Sequence, residues 1–334
     1  MRRSLVCFFF LIFFSVISLA APGAVSANDS TVTLGAGGLT FEKNAQISML
    51  SEKLFISPSR VTVDYEMRND GKTPVDITVG FPLPKLNAAE LVNEPVITDA
   101  DQPENFVHFA VTVDGKTIEP KQEVKAVELE GAKRDVTDML RSNGALMPPV
   151  ARGFYNMLET LPESARKKLE AEKLLVVDRF EDGSTTFTPT WETQLTYVWT
   201  QHYAPGAVVR VHHEYVPVVG RGFFGEFAFG EDSKPWCIDE ATKKGILALL
   251  RAQKPKNDSE LLERKQIDYV LTTGANWAGP IRSFELVLEK ESPGQIVTTC
   301  FSGLKKTSPT QFLFSTKDFT PSSDLSVLFI APLE

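Results

Sequence analysis

The sequence is poor in the residues that most often hold metals or attack substrates. It has only four histidines and three cysteines in 334 residues. None of the short catalytic patterns is present: no G-x-S-x-G, no H-E-x-x-H and no Walker motif. Beyond the first 27 residues no apolar run is long enough to span a bilayer. Excess positive charge is lacking too, since the net charge is −8, which argues against nucleic acid or an anionic membrane as the partner. No cofactor or metal follows from the composition.

The opening stretch MRRSLVCFFFLIFFSVISLAAPGAVSA carries two arginines, an apolar segment from Leu5 to about Ala21, a Pro22-Gly23 break and the small-residue triplet Val25-Ser26-Ala27. That is the pattern of a secretory signal, with cleavage expected after Ala27 and a periplasmic or secreted location for the product. A retained membrane anchor is the alternative. Loss of Arg2 and Arg3 takes the net charge from −8 to −10. About 300 residues remain by this reading, enough for one large β domain or two smaller units.

Cys237 and Cys300 alone survive cleavage. In an oxidising compartment they are expected to pair, with a chain-entropy contribution of ~4 kcal/mol as an upper figure. Two free thiols or a thiol nucleophile are the competing readings, although neither cysteine lies in a C-x-x-C pair.

Short alternating runs dominate the chain after the signal segment. Val61, Val63, Tyr65 and Met67 share one strand face, and Asn69-Asp70-Gly71 turns the chain into Val75, Ile77 and Val79, read here as a hairpin. Asp114-Gly115 is a second expected hairpin turn, with His108 packed or at an edge in the strand before it. Leu158, Leu161, Ala165 and Leu169 have helical spacing, and Thr160 with Glu163 forms a possible capping box. A further helix is expected from Asp239 to about Gln253. Strands resume through Ile267 to Leu271, a Gly/Asn/Pro turn, Phe284 to Leu288, and three later segments. The expected class is mainly β: two β-sandwich-like units with a helical insertion between them and one further helix. The boundaries are 28–130 for the first unit, 131–175 for the insertion, 176–230 for an aromatic β-hairpin region completing or bridging the sandwiches, and 231–334 for the second unit.

Three of the four histidines lie in WETQLTYVWTQHYAPGAVVRVHHEYVPVVG. Read as a hairpin turning at Ala204-Pro205-Gly206, it buries Trp191, Leu195, Tyr197, Trp199 and Tyr203 against Val209, Val211, His213 and Tyr215. His202 and His212 then share the outer face, about 13 Å apart at ~3.4 Å per residue. Zinc ligands sit at ~2 Å from one ion, so the hairpin makes no two-histidine site. His213 is expected in the core with a satisfied ring nitrogen. The match GRGFFG at Gly220–Gly225 is not a dinucleotide loop, because strand-like sequence rather than a helix comes after it. The cluster Gly35-Ala36-Gly37-Gly38 likewise lacks phosphate-loop spacing.

Several stretches together resemble one family. They are TLGAGGLTF, ISMLSEKLFISPSRVTVDYEMRN and FPLP near the start, YAPGAVVRVHHEYVPVVG in the middle, and YVLTTGANWAGPI, SPTQF and KDFTPSSDL near the end. The family is the bacterial exported one catalogued as domain of unknown function 4424. The resemblance implies export and a shared fold, and it brings no catalytic residue. VDYEMRNDGKTPVDITVGFPLP is also similar to the adhesive β domain that opens inter-alpha-trypsin inhibitor heavy chains, a hint at the level of the fold.

The expected function is a non-catalytic binding or interaction protein of the cell envelope, its partner an envelope protein or glycan. Candidate contacts are His202, His212 and Trp277, the last on the turn TGANWAGP. The alternative is an envelope hydrolase using paired carboxylates on glycan or peptide, 5 to 10 Å apart in one cleft. The densest acidic group near the aromatic region is Asp178, Glu181 and Asp182, which reads first as a solvated turn.

Overall fold

The computed structural model describes residues 28–35, 38–87, 96–97, 105–150, 153–257 and 260–333, with 89 and 102. The expected signal segment 1–27, its cleavage site and residues 36–37 of the early glycine cluster lie outside them.

The strands form three large sheets and a small ribbon. Sheet A, six-stranded, has the order β10 (Lys121–Glu128), β13 (Trp191–Tyr203), β5 (Val75–Pro82), β1 (Ser30–Gly35), β2 (Gly38–Glu42), with β6 (Leu86–Asn87) also on β13. Sheet B, eight-stranded, runs β19 (Lys305–Lys306), β20 (Gln311–Phe319), β17 (Ile281–Glu289), β3 (Ile47–Ser57), β4 (Arg60–Asn69), β14 (Val208–Tyr215), β8 (Ala110–Val113), β9 (Lys116–Ile118). Sheet C, five-stranded, runs β18 (Ile296–Thr299), β21 (Leu325–Ala331), β16 (Leu262–Tyr269), β15 (Val219–Phe224), β7 (Val96–Ile97). The ribbon pairs β11 (Leu175–Arg179) with β12 (Thr185–Pro189).

The mainly β class therefore holds. One face of sheet B meets both other sheets in a single core. Leu54, Val63, Tyr65, Val211 and Leu286 from sheet B pack with Phe81 and Tyr197 from sheet A and with Ile267 and Phe329 from sheet C. Segments 28–130 and 231–334 share sheet B, because β17 lies parallel beside β3, Leu286 opposite Leu54. The two sandwich-like units are thus joined through one continuous sheet, and no boundary between them separates the strands. Strands β13, β14 and β15 enter sheets A, B and C in turn.

That finding corrects the aromatic hairpin. β13 pairs with β5 and β10, whereas β14 pairs with β4 and β8, so residues 204–207 form an arch between two sheets. β4 and β5 are likewise joined by an arch, as are β16 and β17. Alternation assigns a side chain to a face, and it is blind to which strand supplies the hydrogen bonds. A buried Asn69 ties the first two arches together. Its Nδ2 donates to Thr73 O at 2.9 Å and Tyr203 O at 3.0 Å, while its Oδ1 accepts from Gly71 N at 2.8 Å. Gly206 sits at φ 70°, a conformation that favours glycine. Asp114-Gly115 is a true hairpin turn, with Val113 opposite Lys116 and positive φ at both turn residues. His108 is exposed and precedes β8, at φ 52°.

Helices cover two remaining surfaces. α1 (Thr137–Ser142), α2 (Phe154–Thr160) and α3 (Glu163–Ala171) pack Leu140, Leu158 and Leu169 around Trp191 at the end of sheet A. The expected capping box is absent: Thr160 Oγ1 donates back to Asn156 O at 2.8 Å, and Pro162 is the N-cap of α3. α4 (Glu240–Asn257) lays Ile246 and Leu250 on Leu262, Leu328 and Ile330 of sheet C. Strand β21 is therefore covered on both sides, which explains its apolar run VLFIA. Cys237 and Cys300 form a disulfide across a sequence separation of 63, pinning the segment before α4 to the end of β18.

Candidate functional site

The outward face of sheet B lines an open depression of about 480 Å³. Because β4 and β14 alternate, the residues between the core positions Val63, Tyr65, Val211 and His213 point the other way. Cross-strand register then sets them in two rungs. One runs Lys53, Asp64, His212, Thr112; the next runs Ser51, Glu66, Arg210. His212 Nδ1 lies 2.8 Å from Asp64 Oδ1, and Arg210 Nε donates to Glu66 Oε1 at 3.0 Å. All four side chains are solvated, so each pair contributes at most about 1 kcal/mol to stability. Their value lies in arrangement: basic and acidic side chains alternate across an open surface.

Of the sequence candidates, His212 alone lies in this depression. His202 belongs to sheet A, where its Nδ1 lies 2.7 Å from Asp76 Oδ1 on the neighbouring strand. The arch turns β13 and β14 so that both bury their odd residues between sheets A and B. His202 and His212 therefore face opposite sides of the sandwich, not one shared face. Trp277 is corrected as a contact: it is 4% exposed, and its Nε1 donates to Asp29 O at 2.9 Å. Among the described residues no group of three or more His, Cys, Asp or Glu is placed to hold a metal. The acidic group at 178–182 lies at the exposed end of the β11–β12 ribbon, Asp178 on β11 and Glu181 and Asp182 in the turn, with Asp182 Oδ1 accepting from Ser184 N at 2.9 Å.

A second polar group, missed by sequence reasoning, lies buried where the three sheets meet. Asn28 and Asp29 precede β1, Glu52 comes from β3, Tyr65 from β4, His213 from β14 and Tyr269 from β16, and all are at most 1% exposed. Asn28 Nδ2 donates to both Glu52 oxygens at 3.1 and 3.2 Å, and Tyr65 OH donates to Asn28 Oδ1. Thr273 Oγ1 accepts from Asn28 N at 2.9 Å and donates to Asn28 O at 2.6 Å. Burial, partly offset by the Asn28 amide, pushes Glu52 up to about 8. Burial and the nearby Glu52 charge also hold Asp29 well above the carboxylate range.

His213 is core, as expected, yet its ring nitrogens are not satisfied. Neither has a hydrogen-bond partner, and Nε2 stands 3.5 Å from Asp29 Oδ2, too long for a good bond. Aromatic rings surround it: Phe81 at 5.0 Å, Phe109 at 5.2 Å, Tyr65 at 5.4 Å and Trp199 at 5.5 Å between centroids. Burial drives its pKa down to about 3. The sequence signals for this cluster are the polar Glu52 at a position where β3 should be apolar and His213 on the apolar face of β14.

Three sheets sharing one core, braced by a disulfide and open on one polar face, define a mainly β protein without a recognisable catalytic constellation among the described residues. The chain belongs to the family described as Domain of unknown function (DUF4424), whose model matches residues 27–328. No curated protein matches it. Among solved structures it is similar to a Legionella pneumophila protein described as a "putative nutrient binding protein", at 14% identity and a TM-score of 0.42, over 92% of this chain and 71% of that one.

Proposed function

We propose that the chain is exported, released into the periplasm or beyond by cleavage near Ala27, and acts there as a non-catalytic binding protein of the cell envelope. The observation that supports this reading is the uncovered face of sheet B. Its other face packs in the shared core, while Lys53, Asp64, Glu66, Arg210 and His212 remain open in one depression. Alternating donors and acceptors of both charge signs suit a polar envelope glycan or protein surface rather than an apolar ligand. His212 carries the proposal of the original three contacts. His202, on the opposite side, would serve only a separate surface.

The hydrolase alternative has one observation in its favour. Asp64 and Glu66 alternate on β4 and lie about 7 Å apart along it, inside the range of a paired-carboxylate site. Glu66 accepts from Arg210 and Asp64 lies 2.8 Å from His212 Nδ1, so both carboxylates are already engaged by basic side chains. The test is native mass spectrometry of the protein gently isolated from its own envelope fraction, beside a variant with His212→Ala and Arg210→Ala. A glycan or protein retained by the natural chain and lost from the variant supports binding at this face. Equal retention by both rejects the site, and turnover of envelope glycan abolished by Asp64→Asn rejects the non-catalytic reading.

A further inference from the structure

The junction of the three sheets holds two carboxyl groups and no cation among the described residues. Both Asp29 oxygens lack a hydrogen-bond partner although the residue is 1% exposed. Glu52 receives only the neutral Asn28 amide. Native interiors rarely leave a carboxylate so; a buried charge is paired, or it is neutralised at a cost. Such a junction calls for a positive group.

The backbone nitrogen of Asn28 is already there. It is buried, donates to Thr273 Oγ1 at 2.9 Å, and belongs to the same residue whose amide touches Glu52 and whose neighbour is Asp29. Four bonds separate it from Asn28 Nδ2, a span of at most about 5 Å. As a peptide nitrogen it offers one N–H, which Thr273 uses. As a chain terminus it would offer three donors and a positive charge. The cleavage expected from the sequence falls on the bond before it.

We propose that Asn28 is the mature N-terminus and that its α-ammonium group is the buried counter-ion of Asp29 and Glu52. In the processing step water adds across the Ala27–Asn28 peptide bond. Its hydroxyl joins the Ala27 carbonyl carbon, that bond breaks, and the Asn28 nitrogen leaves as an amine that takes up a proton. One N–H of the ammonium stays on Thr273 while the others turn to the carboxylates. Glu52 lies in sheet B, Asp29 leads into sheet A, and Thr273 comes after β16 of sheet C, so one charge ties three layers together. Tyr65, Tyr203, His213 and Tyr269 are the other titratable groups facing this point. The ion pair forms only after processing, so an unprocessed chain would fold with this junction incomplete. The inference rests on the export reading only for how the terminus arises in the cell.

A chain beginning at Asn28, released from a fusion by protease in vitro and oxidised to the disulfide, is compared with one that retains Ala27. Amine-specific labelling of the α-amino group at pH 7 should be slowed at least 100-fold in the folded Asn28 chain relative to the same chain in urea. The Asn28 chain should unfold at a higher urea midpoint, and Glu52→Gln should remove most of that advantage. Equal labelling folded and unfolded, equal midpoints, or a stoichiometric metal ion found by elemental mass spectrometry would overturn the proposal. N-terminal sequencing of protein from the envelope fraction separates the two readings. A different exported start overturns the assignment of Asn28 and leaves export standing, whereas full-length protein found only inside the cell overturns export while the in vitro comparison still decides the ion pair.

Discussion

Replacing His213 by Phe should make the protein more resistant to acid. His213 is fully buried among Phe81, Phe109, Tyr65 and Trp199, and burial lowers its pKa from 6.5 to about 3. In the unfolded chain the imidazole takes up a proton below about pH 6.5, whereas in the folded chain it stays neutral until about pH 3. Protons therefore favour the unfolded state throughout that window, and stability is lost as pH falls through it. Each pKa unit is worth about 1.4 kcal/mol, so at pH 4 the penalty from this residue alone is roughly 3 kcal/mol, against a few tenths at pH 7. Phenylalanine fills a similar volume, cannot be protonated, and its ring suits the aromatic cage. At pH 7 the variant should lie within about 1.5 kcal/mol of the natural protein, the usual range for a volume-conserving change. The assay is urea unfolding monitored by tryptophan fluorescence at pH 7 and pH 4. The difference between variant and natural protein should shift by roughly 3 kcal/mol in the variant's favour at pH 4. An unchanged difference at the two pH values would refute the reasoning, because it would mean that His213 takes up its proton in the fold as readily as in the unfolded chain.

Other perturbations test the same structure. In a chain extended before Asn28, Glu52 keeps its proton up to about pH 8 against 4.5 when unfolded, so stability should fall as pH rises through that window, by about 3 kcal/mol at pH 7; Glu52→Gln should flatten the profile, and a parallel pH dependence in both would contradict the burial argument. Replacing Cys237 and Cys300 together by alanine should lower the unfolding free energy by up to about 4 kcal/mol, checked by urea unfolding with and without reductant. Gly80→Ala would put a Cβ 2.7 Å from Val32 Cγ1 and 3.3 Å from Thr196 Cγ2, an overpacking cost of about 1–3 kcal/mol measurable as a lowered thermal midpoint. His212→Ala with Arg210→Ala should change stability by less than about 2 kcal/mol, since both pairs are solvated, so any loss of partner retention reports on the face itself.

Much of this protein was legible residue by residue. Alternation alone identified the buried faces of β4, β13 and β14, and the burial of Trp191, Tyr197, Trp199, Tyr203 and Tyr215 agrees with it. Helical spacing located α3 and α4, turn residues located Asp114-Gly115, and counting cysteines located the one bridge between Cys237 and Cys300. These are local properties: a side-chain period, a glycine that tolerates positive φ, two thiols outside the opening apolar segment.

Partner choice between strands was not local. An arch and a hairpin use the same alternating strands and the same turn residues, and they differ only in whether the second strand bonds to the first or crosses to another layer. Tertiary packing made that choice at Asn69, at Gly206 and at the turn before β17, where tying sheets together buries more apolar surface than closing an isolated hairpin would. It sent His202 and His212 to opposite sides, buried Trp277 on Asp29, and gathered Asn28, Glu52, Tyr65, His213 and Tyr269 from five distant segments. The sequence by itself determined which side of each strand is apolar. Only the three-dimensional arrangement decided which polar residues meet, because contacts between layers depend on the stacking of sheets and leave no period along the chain.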